Sequence, residues 1–466
     1  MTDIAANLAT LLPAAALREA GPVYLEEPRG RWHGLAAAIV APATVEEVAA
    51  VLRLCNDTGT PVIPFGGGTG LVGGQLADTG APPVILSLER MRAVRDMDPQ
   101  AGTMTVEAGA ILADIHARAE AEDWIFPLSL GSQGSARLGG LLATNAGGVN
   151  VIRYGNTRDL VLGVEAVLAD GTVVNTLSPL RKNNTGYDLR HLLIGSEGTL
   201  GVITAASLRL FPKPAATGAA MMVVPSPEAA LGLLRLTQAQ IGAALSAFEL
   251  IGRQGLLFLD EVGPQTRQPF DPRPDWACLI DLGMAAGAAP AAALEALFAT
   301  AFEAGLVSDG VIAQSEAQRA EFWALRENIP DANRRIGAVS SHDISVPVAR
   351  IPRFIAEAPA RIGAVGAFRL NCFGHMGDGN LHYNVFPMPG KSRADHDGQR
   401  DAIKRAVHDL VHELGGSVSA EHGIGRLKVA DLERYGDPGK LHAMRAIKAA
   451  LDPKGILNPG AVLRAP

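Results

Sequence analysis

Pro61-Val62-Ile63-Pro64-Phe65-Gly66-Gly67-Gly68-Thr69-Gly70-Leu71-Val72-Gly73-Gly74 reads as a short apolar strand running into a glycine loop, and the residues just beyond it decide the fold. Gly68-x-Gly70-x-x-Gly73 has the spacing of a dinucleotide fingerprint, and Glu89 sits near its acidic position. That fingerprint works only when a helix begins at once and aims its N-terminal amides at a pyrophosphate. Gly74, Gly80, Pro82 and Pro83 leave no room for such a helix. A doubly wound nucleotide fold is therefore not expected. The loop is either a structural turn or an anion-binding nest built from its own consecutive amides.

Working outward, Thr44-Val45-Glu46-Glu47 predicts a capped helix with Val48, Val51, Leu52 and Cys55 on one face and Gly59 at its end. Val164–Leu168 and Thr172–Val174 flank Asp170-Gly171, a hairpin signal. Leu208 to Pro214 closes with a Pro-Lys-Pro break, the expected domain boundary. From there to about residue 310 the chain is Ala-rich, helical in pattern and poor in chemistry, and 399–414 reads as an amphipathic helix.

At 466 residues two or three domains are expected. Net charge is −7 with no basic stripe, which argues against nucleic acid as a partner. Cys55, Cys278 and Cys372 share no CxxC spacing, so neither an iron–sulfur nor a disulfide framework is expected. The absence of a long unbroken apolar run predicts no membrane span, and Met1-Thr2-Asp3-Ile4 shows no targeting signal. A cytoplasmic location is the expectation.

The densest chemistry lies in Gly374-His375-Met376-Gly377-Asp378-Gly379-Asn380-Leu381-His382-Tyr383-Asn384. A tight turn over Gly377 to Asn380 would set His375 opposite His382, about 5 Å apart at Cβ, close enough to share a metal. Strand period puts Asn384 on the same face as His382. Ser419-Ala420-Glu421-His422-Gly423 then supplies a carboxylate and another imidazole. Two His and one carboxylate suit a catalytic divalent metal with an open position. A polar hairpin with surface histidines is the competing reading.

Further clusters of small residues occur at 131–148 and 195–201. Pro64 to Thr69, Asn145-Ala146-Gly147-Gly148, Arg181 to Leu189 and Gly195-Ser196-Glu197-Gly198-Thr199-Leu200-Gly201 resemble the FAD domain of vanillyl-alcohol-oxidase-type flavoproteins. Gly374 to Val385, Ser419 to Gly423 and Leu451 to Pro459 resemble the D-2-hydroxyglutarate and D-lactate dehydrogenase branch of that family. The similarity runs over roughly residues 35 to 460.

The resemblance implies an α+β fold: a two-subdomain FAD-binding domain over 1–213, an α+β cap domain over 214–440 carrying substrate and metal, and a C-terminal segment, 441–466, returning to the FAD domain. It implies flavin contacts at Gly66, Gly67, Gly68, Thr69, Gly70, Leu71, Gly131, Ser132, Gly134, Ser135, Gly139, Thr144, Asn145, Gly147, Gly148, Tyr154, Glu197, Gly198, Gly201, Ile203 and Asn458. No histidine lies in Gly66 to Gly74, so the FAD is expected to be noncovalent.

It further implies His375, His382 and Glu421 as metal ligands, zinc being the expected ion, and His422 as the base. Arg326 and Asn384 match substrate-binding positions, and Ser341 stands where close relatives carry Lys. A second departure is Pro330, where they carry a hydroxyl residue. Arg326 could instead complement a helix end before Pro330. His408 and His412 read as a solvated helix face, and Cys372 as a small core residue.

The activity so implied is oxidation of a D-2-hydroxy acid, D-2-hydroxyglutarate or D-malate among the candidates. Electrons would pass to an electron-transfer protein or a quinone, and a homodimer is the expected assembly. A D-lactate or glycolate-type dehydrogenase, an oxidase subunit of the same family, or a metal-dependent hydrolase using the same His/His/Glu centre remain alternatives.

Overall fold

A computed structural model describes residues 3–30 and 32–465. By internal contacts the chain forms two compact units. The first contains the described residues up to Gly147, Gly155–Lys213 and those from Glu421 onward; the second contains Gly148–Tyr154 and Pro214–Ala420. The chain thus joins the first unit again at 421, ahead of the return expected at 441.

Within the first unit, one four-stranded sheet runs Leu17–Arg18, Ala38–Val40, Val84–Ser87, Val62–Phe65, with the last three strands parallel. The helix Val45–Thr58 buries Val48, Val51, Leu52 and Cys55 in the core that includes this sheet. Thr44 caps it by accepting from the Glu47 amide at 3.2 Å, and Gly59 ends it at φ 67. After Phe65 no helix forms until Leu112–Glu120, as the glycines and prolines require.

A second, antiparallel sheet has the order Val94–Asp98, Thr103–Glu107, Val202–Arg209, Val161–Val167, Val173–Asn175. Its last two strands are the hairpin signalled by Asp170-Gly171. These sheets and their helices are the two α+β subdomains.

The second unit is built on a seven-stranded antiparallel sheet. Its order is Asp309–Ile312, Ala216–Val224, Trp276–Met284, Leu245–Gly252, Arg369–His375, Asn380–Phe386, Ser340–Ser345. Helices Arg253–Val262 and Glu316–Ile336 share a core with one face, through Leu256, Phe258, Leu325 and Ile329 against Met221, Leu279, Phe373 and Phe386. Three of the strands fall in the stretch whose pattern reads as helical. They are buried on both faces, so they carry no apolar–polar alternation.

The helix Arg400–Glu413 forms as expected, but His408 is not on a solvated face. It is 2% exposed, with its Nε2 3.2 Å from Nδ1 of His342. His412 is exposed.

Candidate active site

In the first unit the glycine segments converge. Gly67 lies so close to the second cluster that a Cβ there would stand 2.2 Å from the Ser135 carbonyl oxygen. Asn458 donates its side-chain amide to the carbonyls of Gly74 at 2.9 Å and Glu197 at 2.8 Å. Glu197, at φ 52, accepts from the Ile424 and Gly425 amides, both at 2.7 Å. Burial raises its carboxyl pKa, and those two N–H bonds oppose the shift.

Arg426 donates to the carbonyls of Gly73 at 3.0 Å and Pro459 at 3.0 Å and to Asn458 Oδ1 at 2.9 Å. Lys448 donates to the carbonyls of Thr199 and Leu457, both at 2.8 Å. Arg426 and Lys448 tie three distant segments together, and no local sequence pattern marks either.

The peptide N–H groups from Gly66 to Leu71 have no hydrogen-bond acceptor among the described residues. This half-buried run of unpartnered amides is the donor set a pyrophosphate needs, so the residues fit FAD. Gly139, Gly201 and Ile203 are buried supports of the same unit, whereas Gly148 and Tyr154 group with the second.

In the second unit, one sheet face gathers His375, His382, Asn384 and Ser341, whereas Glu421 and His422 belong to the first unit. The hairpin turn occupies Met376–Gly379, and Phe373, rather than His375, is opposite His382. The pairing differs by two residues from the expected one. Because strand period is two, His375 keeps its face. The two imidazole rings are 5.5 Å apart at their centroids, with a nitrogen of each within 4.8 Å of the other's.

Asn384 lies between Asn371 and Ser341 on the neighbouring strands, and Asp343 pairs with His382. Ser341 is exposed; Asn384 and Asp343 are buried. The Asn380 side-chain amide donates to Asp343 Oδ1 at 2.9 Å.

Arg326 is not at a helix end, since Glu316–Ile336 continues through Pro330. It is 5% exposed, stacks 4.7 Å over Phe373, and donates Nε–H to Glu249 Oε2 at 2.7 Å. Glu249, fully buried, also accepts from His375 Nδ1 at 2.6 Å through Oε1. Burial alone would raise its pKa, but His375 and the Arg326 guanidinium hydrogen-bonded to its two oxygens outweigh that and hold the carboxyl below its usual range. Sequence reasoning missed this residue. Its signal is a lone charge inside Leu245–Gly252, an otherwise closed apolar strand.

Glu421 and His422 come directly after Ala420, whose amide donates to the Asp343 carbonyl at 3.3 Å. They are not in a strand, and Gly423 turns the chain at φ 77. A carboxylate oxygen of Glu421 lies within 4.8 Å of a ring nitrogen of His422, so the two side chains do not point apart. Cys372 is buried beside the hairpin and its thiol is pushed up to about 12, which removes it as a nucleophile.

Residues 36–177 match the family model for an FAD binding domain, and residues 213–462 match that for the FAD linked oxidases, C-terminal domain. A D-2-hydroxyglutarate dehydrogenase of Xanthomonas citri pv. viticola is 39% identical over 92% of this chain and 90% of its own. The mitochondrial D-2-hydroxyglutarate dehydrogenase of Bos taurus is 39% identical over 98% of this chain and 82% of its own. The solved structure of p-cresol methylhydroxylase superposes with a TM-score of 0.78 at 17% identity, covering 99% of this chain and 96% of that one. The fold is thus of the vanillyl-alcohol-oxidase type. The chain belongs to the FAD-linked oxidases, in the family that includes those D-2-hydroxyglutarate dehydrogenases.

Proposed function

We propose that the protein is an FAD-dependent dehydrogenase that oxidises a D-2-hydroxy acid to the 2-oxo acid with the help of a divalent metal. The observation that carries the metal reading is the pair of imidazoles, His375 and His382, on one face with Asn384 and beside Arg326. His375, His382 and Glu421 are the proposed ligands, and their chemistry fits zinc. The flavin contacts are proposed to be those matched above.

FAD, when bound, supplies the electron-accepting ring for the hydride. A divalent cation supplies Lewis-acid polarisation that eases loss of the α-hydroxyl proton. Arg326, with its planar fork, holds a substrate carboxylate, and Asn384 orients the substrate on the same face. His422 takes the hydroxyl proton.

The unpartnered amides of Gly66 to Leu71 favour this over a hydrolase reading, because a hydrolase has no use for such a nest. Among the described residues no helix is long and apolar enough to cross a membrane. A cytoplasmic homodimer that passes electrons to a carrier protein or a quinone is the proposed setting.

The test is optical. The purified protein should be yellow, release FAD on denaturation, and bleach anaerobically with D- but not L-2-hydroxy acids. A colourless protein that FAD cannot reconstitute would overturn the reading, and flavin left on the acid-precipitated chain would overturn only noncovalent attachment.

A further inference from the structure

We propose that Glu249 is a positioning residue that couples the metal centre to substrate recognition, one buried carboxylate fixing both His375 and Arg326. The proposal rests on the metal reading given above.

The geometry is specific at both oxygens. Glu249 is the ladder partner of His375 across the Leu245–Gly252 and Arg369–His375 strands. Its Oε1 receives His375 Nδ1 at 2.6 Å and its Oε2 receives Arg326 Nε at 2.7 Å. An ionised carboxylate only accepts, so the proton sits on Nδ1 and Nε2 becomes the nitrogen able to bind a metal. The negative charge also makes the imidazole a stronger ligand.

At Arg326 the bond engages Nε and leaves the paired Nη groups as the edge that can take a carboxylate end-on. The plane of that fork is set from the other side by Phe373, whose ring is 4.7 Å from the guanidinium carbon and 5.0 Å from His382. His375, His382, Phe373 and Arg326 therefore form a closed circuit of contacts with Glu249 joining its ends. A residue that only neutralised Arg326 would not need its second oxygen on the Nδ1 of a candidate ligand.

The experiment compares wild type and Glu249→Gln, each loaded with FAD, by zinc retained against a competing chelator and by kcat/KM for D-2-hydroxyglutarate and D-lactate. Glu249→Gln should bind zinc roughly 10–100-fold more weakly, the range for losing an outer carboxylate. It should also lose at least about tenfold in diacid-over-monoacid preference, with FAD content unchanged. Unchanged zinc affinity and preference in a folded, yellow variant overturn the proposal.

A wild type that holds no stoichiometric zinc overturns the metal reading itself, a different result. A measurement on wild type stands even if the variant does not fold. In a ¹⁵N-histidine correlation spectrum of the zinc-loaded enzyme, His375 should carry its proton on Nδ1, and a proton on Nε2 overturns the proposal.

Discussion

Asp343 and His382 are direct ladder partners, and the carboxylate of Asp343 is held by the side-chain amide of Asn380, two residues before His382 on the same strand. The second imidazole thus has its own buried acid nearby, as His375 has Glu249. Asp343→Asn is expected to lower kcat by about 10–100-fold while FAD content stays at the wild-type level. Stopped-flow reduction of the flavin checks this, and an unchanged rate would place Asp343 outside the chemistry.

Metal dependence is the next expectation. A chelator should abolish turnover and leave FAD bound, because the amide nest belongs to the first unit and the two imidazoles to the second. Added zinc should restore the chelated wild type but not His382→Ala. Active enzyme with no divalent ion by metal analysis would make the hairpin structural.

Substrate preference should respond to position 341. Ser341 is exposed, opposite Asn384, so a longer side chain has room and reaches the face shared with the proposed substrate residues. Arg334 and Arg335, on the same helix as Arg326, both pair with Asp331 at the helix surface. One charge-assisted contact contributes about 1.5–3 kcal/mol, so Ser341→Lys should raise kcat/KM for D-2-hydroxyglutarate relative to D-lactate by about tenfold or more. An unchanged ratio would show that residue 341 does not line the distal pocket.

Glu197 holds the turn at Ile424 and Gly425 through two 2.7 Å bonds. Glu197→Ala strands both donors, at a cost of about 1–3 kcal/mol each. The variant should melt several degrees lower and retain less FAD, read by differential scanning fluorimetry and by the flavin-to-protein absorbance ratio. Glu197→Gln, which keeps one acceptor, should fall between it and wild type.

His116 gives a pH dependence. Its Nε2 is 2.9 Å from the Leu128 carbonyl, and burial pulls its pKa below the ordinary value, against the raising effect of that carbonyl. With the folded pKa depressed, the unfolded chain binds more protons through that window, so stability rises with pH there. The contribution is present above the ordinary histidine pKa and is lost as pH falls through the folded value. The difference in Tm between wild type and His116→Gln should therefore shrink from pH 7.5 to pH 5, and a constant difference would refute the assignment.

Much of this was legible in the sequence because short-range rules govern it. Thr44 and Gly59 delimit a helix, Asp170-Gly171 makes a hairpin, and Gly74 to Pro83 exclude a helix. Local pattern failed where burial is two-sided, as in Ala216–Val224 and Trp276–Met284. It also failed where partners are far apart in the chain. Nothing near Glu249 announces His375, 126 residues later, and nothing near Lys448 announces Thr199. The hairpin register slipped because turn length cannot be read from Gly377-Asp378-Gly379 alone, while the shared face survived because the slip was even.

Pro330 lies inside the helix that carries Arg326, four residues after it. A helix closes each carbonyl with the amide four residues on, and proline has no amide hydrogen to offer. The carbonyl that loses its helical donor is therefore that of Arg326 itself. A serine or threonine at 330 would restore the amide and add a hydroxyl able to bond back to the same oxygen. This chain supplies neither, so the backbone bends most readily at the residue whose guanidinium is fixed by Glu249. Arg326 is thus held by its side chain on a helix whose own ladder is broken beneath it.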